Sequence, residues 1–406
     1  MTYFLILGNN PSLSIAEISA CLSNNIKKVK KVSEDFLILE TKQEIEAKKL
    51  QKEMGGIVKI GEIKKEIFLT DFLKDKNLIP DFLEEEINNS SFLKNKIIFG
   101  FSFYGFKRKL ETKETALIIK QKLKNKGISS RWISCSEKAL STVILKKNKV
   151  LEKGLEVCFF QDCQQVFLGK TLTCQPWEEY SQRDFGRPER SIEKGMIPPK
   201  LARIMINLGK ESLKSCFLDP FCGSGTFVQE AFLMDFKSII GTDKDEQSII
   251  KAKKNLAWIS KRENKSINHI SLFRADVRKL SKKIRNQSIS LIATEPYLGP
   301  LTIKEKGSFY LIKELSSLYE FAFKEFKALV KPQKKVVIIF PVLNTEKKQY
   351  FLPILDSLKN MGWQRESLIN PVFLENKVIK MNNRSSIIYS RPEQKVLREI
   401  FVFKNI

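Results

Sequence analysis

The second half of the chain, from about residue 200, alternates short apolar runs with amphipathic stretches, and this pattern restricts the possible folds more than any other feature. Five apolar runs have the length of strands: SCFLDP (215–220), SIIGTD (238–243), SLFRAD (271–276), SISLIAT (288–294) and KVVIIFP (335–341). The stretches that separate most of them have helical spacing. Such alternation predicts an α/β fold with a mostly parallel sheet and helices on both of its faces.

The first 173 residues follow a different pattern. Short strands and helices alternate there without a glycine loop that could hold phosphate. Two extended runs, LEVCFFQ (155–161) and QVFLGKTLT (165–173), meet at the short segment QDCQ (161–164) and predict a hairpin. We therefore expect residues 1–173 to form a small α+β region.

Residues 174–199 are rich in proline, glycine and charged residues, which predicts a long loop that docks on the domain after it. We place the linker at 174–194 and the α/β domain at 195–406. Near the end of this domain, SSIIYSRP (385–392) and LREIFVFK (397–404) lie close enough in sequence to form an antiparallel pair.

The charge of the chain favours a polyanionic partner. Of its 406 residues, 71 are Lys or Arg and 46 are Asp or Glu, which gives a formal net charge of +25. Nucleic acid would be attracted by that field, as would an acidic membrane surface. A lysine-rich composition common to all proteins of one genome would give the same excess, so only motifs can decide.

Several classes of site and location are disfavoured. The seven cysteines form no C-x-x-C pair, which argues against zinc and disulfides and fits a reducing cytosol. His269 is the single histidine, so a catalytic triad is excluded and a surface position is expected. No secretory signal is visible, and no apolar run approaches the ~18 residues that cross a bilayer. We expect a cytoplasmic protein without a metal.

The segment LDPFCGSGTF (218–227) joins the first strand of the α/β domain to its first helix. Gly223 and Gly225 allow a tight turn and a close approach to a ligand. In an open α/β sheet, ligands bind at the carboxyl ends of strands. Asp219, Asp243 and Asp276 each lie at the end of a successive strand. The predicted cofactor-binding set is completed by three further loop residues: Pro220, Phe221 and Thr226.

These residue types distinguish between cofactors. A dinucleotide site would have a third glycine at position 228, where this chain has valine. A carboxylate at position 219 suits a cofactor that has no phosphates and carries a cationic amino-acid group. Asp243 is placed to accept hydrogen bonds from ribose hydroxyls, and Asp276 could face the amino group of adenine. This combination predicts S-adenosylmethionine.

The fourth strand runs into Glu295, Pro296 and Tyr297. An exocyclic amine on a nucleobase is a poor nucleophile, because its lone pair is delocalised into the ring. Acceptors on its N–H groups favour the tetrahedral nitrogen and orient it. The Glu295 carboxylate and the Pro296 carbonyl can supply them, and the Tyr297 ring can stack on a base lifted from its helix. Cys222, an alternative nucleophile, lies inside the cofactor loop and is expected to be structural.

Five blocks of the chain resemble the THUMP-domain tRNA (guanine-10-N2) methyltransferases of archaea and eukaryotes and their bacterial relatives. They are distributed along nearly the whole length of the chain: YFLILGNNPSLSIAEISACL (3–22), RWISCSEKALSTVILKKNKVLEKGLEV (131–157), GRPERSIEKGMIPPKLARIMINL (186–208), LDPFCGSGTFVQEA (218–231) and SRPEQKVLREIFVF (390–403). The resemblance implies a Rossmann-like S-adenosylmethionine-dependent methyltransferase domain preceded by a ferredoxin-like/THUMP region that grips the tRNA. It also implies that Asp219, Gly223, Gly225 and Asp243 hold the cofactor, and that a small activating protein subunit is possible, the chain otherwise being a monomer.

One motif departs from the family pattern T-D-P-P-Y-G, because this chain has T-E-P-Y-L-G from Thr294 to Gly299. An alignment without a gap puts Glu295 at the aspartate position and Leu298 at the position of the stacking tyrosine. An alignment on Pro-Tyr puts Thr294 at the aspartate position instead. Both alignments remain open at this point.

The sequence therefore predicts an enzyme that methylates the N2 amine of a guanosine in tRNA. The alternatives are methylation of another base amine, in ribosomal RNA or DNA, and a non-catalytic RNA-binding protein with an altered site. Six basic residues are candidate RNA contacts: Lys146, Lys147, Lys149, Arg183, Arg187 and Arg190.

Overall fold

The computed structural model describes residues 1–89, 96–108, 110–190, 196–300, 308–345, 348–374, 376–391 and 394–406. The chain divides into two units. The N-terminal unit consists of Met1–Pro11, Asn24–Lys52 and Ile57–Trp177, and the C-terminal unit consists of Ser12–Ser23, Glu53–Gly56 and Glu178–Ile406. Residues 191–195, where the predicted linker ends and the predicted α/β domain begins, lie outside the described residues.

The N-terminal unit is built on one eight-stranded sheet. Its strands are β1 (Thr2–Leu7), β2 (Ile26–Val32), β3 (Phe36–Thr41), β4 (Ile57–Phe68), β5 (Ile97–Tyr104), β6 (Ser130–Ile133), β7 (Gly154–Asp162) and β8 (Gln165–Cys174). The order in the sheet is β2-β3-β1-β4-β8-β7-β5-β6. The β7–β8 pair is antiparallel, which confirms the predicted hairpin.

The helices of this part of the chain are α1 (Pro11–Leu22), α2 (Ala47–Glu53), α3 (Leu69–Lys74), α4 (Leu78–Asn88), α5 (Lys113–Asn125), α6 (Thr142–Lys147) and α7 (Val150–Lys153). The sequence did not predict β4, because its second half, KKEIF, is largely exposed and lacks the alternation of a half-buried strand. Phenylalanine rings fill the core of the unit, with Phe103 stacked on Phe159 at 4.9 Å.

A buried ion pair lies inside the N-terminal unit. Lys59 Nζ is 2.5 Å from Glu156 Oε1, and it also donates to the Leu140 carbonyl at 2.6 Å. Ser102 donates to the same carboxylate oxygen, and Thr171 Oγ1 donates to the other at 2.5 Å. Both members of the pair are almost fully inaccessible to solvent. We call these residues the Lys59 network.

The C-terminal unit contains the predicted α/β fold. Its helices are α8 (Trp177–Phe185), α9 (Pro199–Gly209), α10 (Thr226–Leu233), α11 (Glu246–Glu263), α12 (Ser308–Leu329) and α13 (Leu355–Asn360). Its strands are β9 (Cys216–Asp219), β10 (Ser238–Asp243), β11 (Ile270–Arg274), β12 (Ile289–Thr294), β13 (Val330–Asn344), β14 (Gln349–Tyr350), β15 (Trp363–Glu366), β16 (Ile387–Tyr389) and β17 (Val396–Asn405). Short 3-10 helices occur at Val277–Lys282 and Pro371–Phe373.

The main sheet of this unit has the order β11-β10-β9-β12-β13-β17-β15. The pairs from β11 to β13 are parallel, whereas β17 is antiparallel to β13, β15 and β16. The five strands that the sequence predicted, β9 to β13, are therefore parallel, and the closing antiparallel pair is confirmed, while the antiparallel strands after β13 make the whole sheet mixed. Strand β9 lies between β10 and β12, so the next strands in the chain, β10 and β11, lie on one side of it and β12 and β13 lie on the other. This reversal of strand order makes the carboxyl end of β9 a switch point of the kind where α/β folds bind ligands.

The prediction that residues 174–199 form a loop is wrong for its first part. Helix α8 occupies Trp177–Phe185, with Glu178 and Glu179 in its first turn and Arg183 in its last. Acidic residues near a helix start and basic residues near its end stabilise the helix dipole. Tyr180 and Arg183 are buried, so the helix is held by packing that proline and glycine content could not reveal.

Two early segments of the chain, Ser12–Ser23 and Glu53–Gly56, belong to the C-terminal unit. The buried carboxylate of Glu17, in the first segment, binds groups of the second segment and of helix α9. Glu17 Oε1 accepts hydrogen bonds from Gly55 N at 2.8 Å and from Asn207 Nδ2 at 2.7 Å. Glu17 Oε2 accepts from Gly56 N at 2.7 Å. Ser19, on the same helix α1, accepts from the backbone N–H of Asn370 at 2.6 Å. The predicted domain limits at 173 and 195 remain a proposal.

Candidate active site

A cavity of about 1370 Å³ opens in the C-terminal unit where several parallel strands end. The segments that follow β9, β10, β11 and β12 line it, together with α12 and the start of β17. Most of the residues that the sequence predicted for the cofactor and for catalysis line this cavity: Pro220, Phe221, Gly223, Thr226, Asp243, Asp276, Glu295, Pro296 and Tyr297. The strand ends therefore bring together groups that are up to 77 positions apart in sequence, from Pro220 to Tyr297.

The glycine loop has the backbone that the sequence predicted. Gly223 and Gly225 both have positive φ, of +51° and +87°, and Gly225 precedes the first residue of α10. A Cβ added to Gly223 would meet no atom within 4 Å, so this residue faces open space. The loop thus presents bare backbone to the cavity, as a close-fitting ligand requires.

Asp243 supports that loop from the end of the neighbouring strand. Its Oδ2 accepts a hydrogen bond from Gly223 N at 2.9 Å, and its Oδ1 accepts from Asp245 N at 3.0 Å. The residue is partly exposed and lines the cavity. Its carboxylate therefore keeps acceptor capacity for a ligand hydroxyl, because each carboxylate oxygen has two lone pairs.

Asp219 is placed differently from the prediction. It is 1% exposed and does not line the cavity. Thr294 Oγ1 donates to its Oδ1 at 2.7 Å, and Phe221 N donates to the same atom at 3.3 Å. Burial raises the pKa of this carboxyl to about 7. Asp219 thus joins the glycine loop to the end of β12 from a buried position, and we do not retain it as a direct cofactor contact.

Asp276 lines the cavity beside the start of a 3-10 helix. Its Oδ2 accepts from Arg278 Nη2 at 2.6 Å, and its Oδ1 accepts from Arg278 N at 3.0 Å. The hydrogen bonds with Arg278 lower the pKa of Asp276 to about 2. Asp276 is therefore an ionised acceptor at the cavity wall, and its contact with adenine stays a prediction.

Glu295 forms an ion pair that the sequence did not reveal. Arg398 Nε donates to Glu295 Oε1 at 2.5 Å, and both residues line the cavity. Burial raises the pKa of Glu295, and Arg398 acts in the opposite direction. Arg398 lies on β17, 103 positions further along the chain. An isolated arginine inside the apolar run LREIFVF was the only signal for it.

The residues after Glu295 settle where the aromatic ring lies. Tyr297 is 53% exposed and lines the cavity, and Leu298 also lines the cavity while it packs against the hydrophobic core. Gly299 has φ of +99°, a conformation that favours glycine. Position 298 therefore supplies no stacking ring, and Tyr297 is the aromatic residue of this motif at the cavity.

The predicted RNA contacts divide into two groups. Arg183 Nε donates to Glu230 Oε1 at 2.7 Å, and Arg187 Nη1 donates to Thr226 Oγ1 at 2.7 Å. Both arginines are buried, so their guanidinium groups bind inside the protein, and we do not retain them as RNA contacts. The remaining four, Lys146, Lys147, Lys149 and Arg190, are exposed.

Two other predictions concern cysteine and histidine. Cys222 is buried, and burial raises the pKa of its thiol well above the usual value. A reactive thiolate needs the opposite environment, which favours the structural role. His269 is half-buried rather than fully exposed, with its ring stacked on Phe232 at 6.3 Å.

The cavity residues fit S-adenosylmethionine. Gly223 leaves room for close approach, Asp243 offers an acceptor at the end of β10, and Asp276 offers another at the end of the next strand. In the described part of the chain, no helix is long and apolar enough to pass through a bilayer.

Comparison with known proteins bears on the same region. Residues 187–350 match the family described as UPF0020: RMKL-like, methyltransferase domain. The chain is 32% identical over 105 residues to the tRNA (guanine(10)-N2)-dimethyltransferase of Methanothermobacter thermautotrophicus, a match that covers 26% of this chain and 28% of the relative. It is 32% identical over 136 residues to the enzyme of the same name from Methanocaldococcus jannaschii, covering 34% of this chain and 38% of the relative. The matches thus span less than half the length of these two relatives.

Among solved structures, the crystal structure of TrmN from Thermus thermophilus is similar over 100% of both chains, with a TM-score of 0.53 and 15% identity. This likeness confirms the fold. The methyltransferase match agrees with the S-adenosylmethionine site predicted from the glycine loop. Residues 187–350 are therefore similar to the RMKL-like methyltransferase domain, and parts of the chain are similar to enzymes named tRNA (guanine(10)-N2)-dimethyltransferase, in agreement with the resemblance of its motif blocks.

Proposed function

We propose that the protein transfers a methyl group from S-adenosylmethionine to the exocyclic N2 of a guanosine in tRNA, at position 10 by resemblance. One observation carries the proposal most directly. The bare backbone of Gly223, the acceptor Asp243 and the ion-paired Glu295 line one cavity at the carboxyl end of the sheet. Cofactor-type and substrate-type groups therefore face the same enclosed space.

On the cofactor side, the residues that would hold S-adenosylmethionine are Gly223, Asp243 and Asp276. When bound there, this cofactor supplies an electrophilic methyl group on a positively charged sulfur. Asp219 acts indirectly, because its bonds to Thr294 and to Phe221 N keep the glycine loop and the end of β12 together.

On the substrate side, Glu295 supplies an ionised acceptor. A hydrogen bond from the amine to this carboxylate orients the nitrogen and strengthens as positive charge develops on it. The carboxylate can then accept the proton that the methylated amine releases. Because burial raises the pKa of Glu295, it is a stronger base than an exposed glutamate, while Arg398 favours its ionised form.

Guanine fits this acceptor better than the other bases that carry amines. Its N1–H and N2–H donors lie side by side, and an ionised carboxylate offers acceptors only. In adenine and cytosine, the ring nitrogen next to the amine on its Watson–Crick edge is an acceptor. The lone pair of that ring nitrogen would face the negative carboxylate. This contrast supports guanine over methylation of adenine or cytosine in DNA.

The charge and the relatives support RNA as the substrate. The formal charge of +25 favours a polyanion, and the names of both relatives specify tRNA. We propose that residues 1–173 act as a THUMP-type RNA-binding region, with exposed Lys146, Lys147 and Lys149 among its contacts. We further propose a cytoplasmic protein that is a monomer or is joined by a small activating subunit.

Transfer of labelled methyl to unmodified tRNA tests the proposal. We expect label in N2-methylguanosine when the nucleosides are separated by mass spectrometry, and none in methylated adenosine or cytidine. Label in ribosomal RNA or DNA alone would identify a different substrate. Binding of tRNA without any transfer would instead favour the non-catalytic RNA-binding protein.

A further inference from the structure

Helix α12 presents an exposed face to the cavity. Five of its residues both line the cavity and are exposed to solvent: Tyr310, Lys313, Glu314, Ser317 and Phe321. Their spacing follows the helical repeat, so they share one side of α12. The opposite side is buried in the core through residues such as Tyr319, Phe323 and Phe326. We call the five exposed residues the α12 face.

The aromatic residues of this face are unusually accessible. Tyr310 is 76% exposed and Phe321 is 51% exposed. In the described part of the chain, six Phe and Tyr side chains are strongly exposed, and three of them, Tyr297, Tyr310 and Phe321, line this one cavity. Aromatic side chains are large and mostly buried in folded proteins, so their concentration at one cavity indicates a surface that another molecule covers.

The spacing of the rings suits unstacked nucleotides. Tyr310 and Phe321 are 11 residues apart, which corresponds to about 16 Å along a helix axis. That length accommodates several bases at roughly 3.4 Å each. Aromatic side chains on which successive bases stack are a common means of binding single-stranded nucleic acid.

Two lysines near the face, together with the separation of its rings, favour RNA over a protein partner. Lys313 on α12 and Lys395 before β17 are exposed, line the cavity and form no ion pair with any other described residue. Glu314 is the one acidic residue of the face. The rings are separated by charged and small polar residues and do not form a continuous apolar patch, which suits separate bases better than a protein surface.

We propose that the α12 face binds unpaired nucleotides of the RNA next to the target base, with Tyr310 and Phe321 as stacking platforms. This inference rests on the proposed function, because it assumes that RNA enters the cavity. It accounts for the ring missing from position 298, where the chain has the aliphatic Leu298. Tyr297 then serves the target base, and the α12 face serves its neighbours.

The test compares the variants Tyr310→Ala and Phe321→Ala with the control Phe309→Ala. Phe309 is adjacent to Tyr310 on the same helix and 70% exposed, yet it does not line the cavity. The Kd for unmodified tRNA is measured by fluorescence anisotropy with S-adenosylhomocysteine present, so that no turnover occurs. We expect each test variant to weaken binding at least about fivefold, the lower limit for losing one stacked base.

Further readouts separate stacking from a loss of structure. We expect Tyr310→Phe to restore tRNA affinity, and the affinity for S-adenosylhomocysteine to stay unchanged in all variants. Unchanged tRNA affinity in both alanine variants would overturn the inference, and so would an equal loss in Phe309→Ala. Loss of binding to a protein subunit, with tRNA affinity intact, would assign the face to that subunit instead.

The two proposals fail in different ways. A wild type that binds tRNA but transfers no methyl contradicts the proposed function, while the Kd values of the variants still decide on the α12 face. A wild type that transfers methyl, with variants of unaltered Kd, contradicts only the α12 face. A wild type that does not bind tRNA at all overturns both.

Discussion

Each unit of the molecule contains a buried ion pair, and the two pairs differ in whether a cavity borders the carboxylate. Lys59 and Glu156 in the N-terminal unit are 2.5 Å apart, as are Arg398 and Glu295 in the C-terminal unit. The first pair has side chains that are 2% and 0% exposed, whereas Glu295 keeps 13% exposure and lines a cavity. Both pairs are therefore largely buried, and only the second pair keeps some exposure.

The two ion pairs differ in whether a ligand can reach the carboxylate. Both oxygens of Glu156 accept hydrogen bonds from protein groups, so the carboxylate has no role beyond the core. Glu295 accepts from Arg398 through one oxygen and borders open space. A buried pair whose partners are all protein groups gives structure, and a pair that borders a cavity is available for chemistry. Four variants test this contrast.

The largest effect is expected from Lys59→Met in the Lys59 network. Removing one member of a buried pair leaves an uncompensated charge, which typically costs about 3–5 kcal/mol. We expect the free energy of unfolding to fall by that order in a urea titration. The double variant Lys59→Met/Glu156→Gln is the control, and it should recover part of the loss because no buried charge remains unpaired.

Glu295→Ala should act on the reaction and leave cofactor binding intact. Loss of an oriented acceptor at a site of developing charge typically lowers the rate by about 100-fold or more. We expect single-turnover methylation of tRNA to slow by that factor, with the affinity for S-adenosylhomocysteine nearly unchanged in calorimetry. An alanine variant as fast as the wild type would remove Glu295 from the mechanism.

Asp243→Ala should have the reverse pattern. Its carboxylate lines the cavity and holds Gly223 N, so its loss removes an acceptor for the cofactor and loosens the loop. Hydrogen bonds to charged groups contribute about 1.5–3 kcal/mol, which corresponds to a loss of cofactor affinity of about tenfold or more. Calorimetric titration with S-adenosylhomocysteine measures it. Unaltered affinity would mean that the cofactor binds elsewhere.

The smallest effect is a shift in pH dependence for Arg398→Met. Arg398 lowers the pKa of Glu295 and burial raises it, so removing the arginine should raise that pKa further. Activity requires the ionised carboxylate and is lost as pH falls through the pKa. The acid limb of the profile of kcat/KM against pH should therefore move to higher pH.

Arg398→Lys is the conservative control, because it keeps a positive charge near Glu295 and should shift the limb less. An acid limb that stays in place in Arg398→Met would show that Arg398 does not control the ionisation of Glu295.

Much of the site was predictable because parallel strands end on one edge of a sheet. The order of apolar runs was enough to bring the glycine loop, Asp243 and Glu295 together. Local sequence could not reveal Arg398, because it arrives on an antiparallel strand 103 positions later. The same limit explains Arg183 and Arg187, which the sequence predicted as RNA contacts but which bind Glu230 and Thr226 on α10.

Asp219 illustrates a second limit. Its position at a strand end predicted a cofactor contact, but whether such a side chain points up or down depends on its neighbour in the sheet. Thr294 on the adjacent strand donates a hydrogen bond to Asp219, whose side chain is buried. Motif spacing identifies the edge of the sheet, and pairing between strands decides which groups reach the ligand.

The long-range hydrogen bonds of helix α1 have a consequence for the order in which the protein folds during synthesis. Helix α1 leaves the ribosome early, yet its Ser19 accepts a hydrogen bond from Asn370, a residue synthesised 351 positions later. Glu17 of the same helix accepts a hydrogen bond from Asn207, which is also synthesised long after the helix. Helix α1 therefore cannot form all of its native contacts until most of the chain has been synthesised. A fragment that begins at the linker would lack this helix.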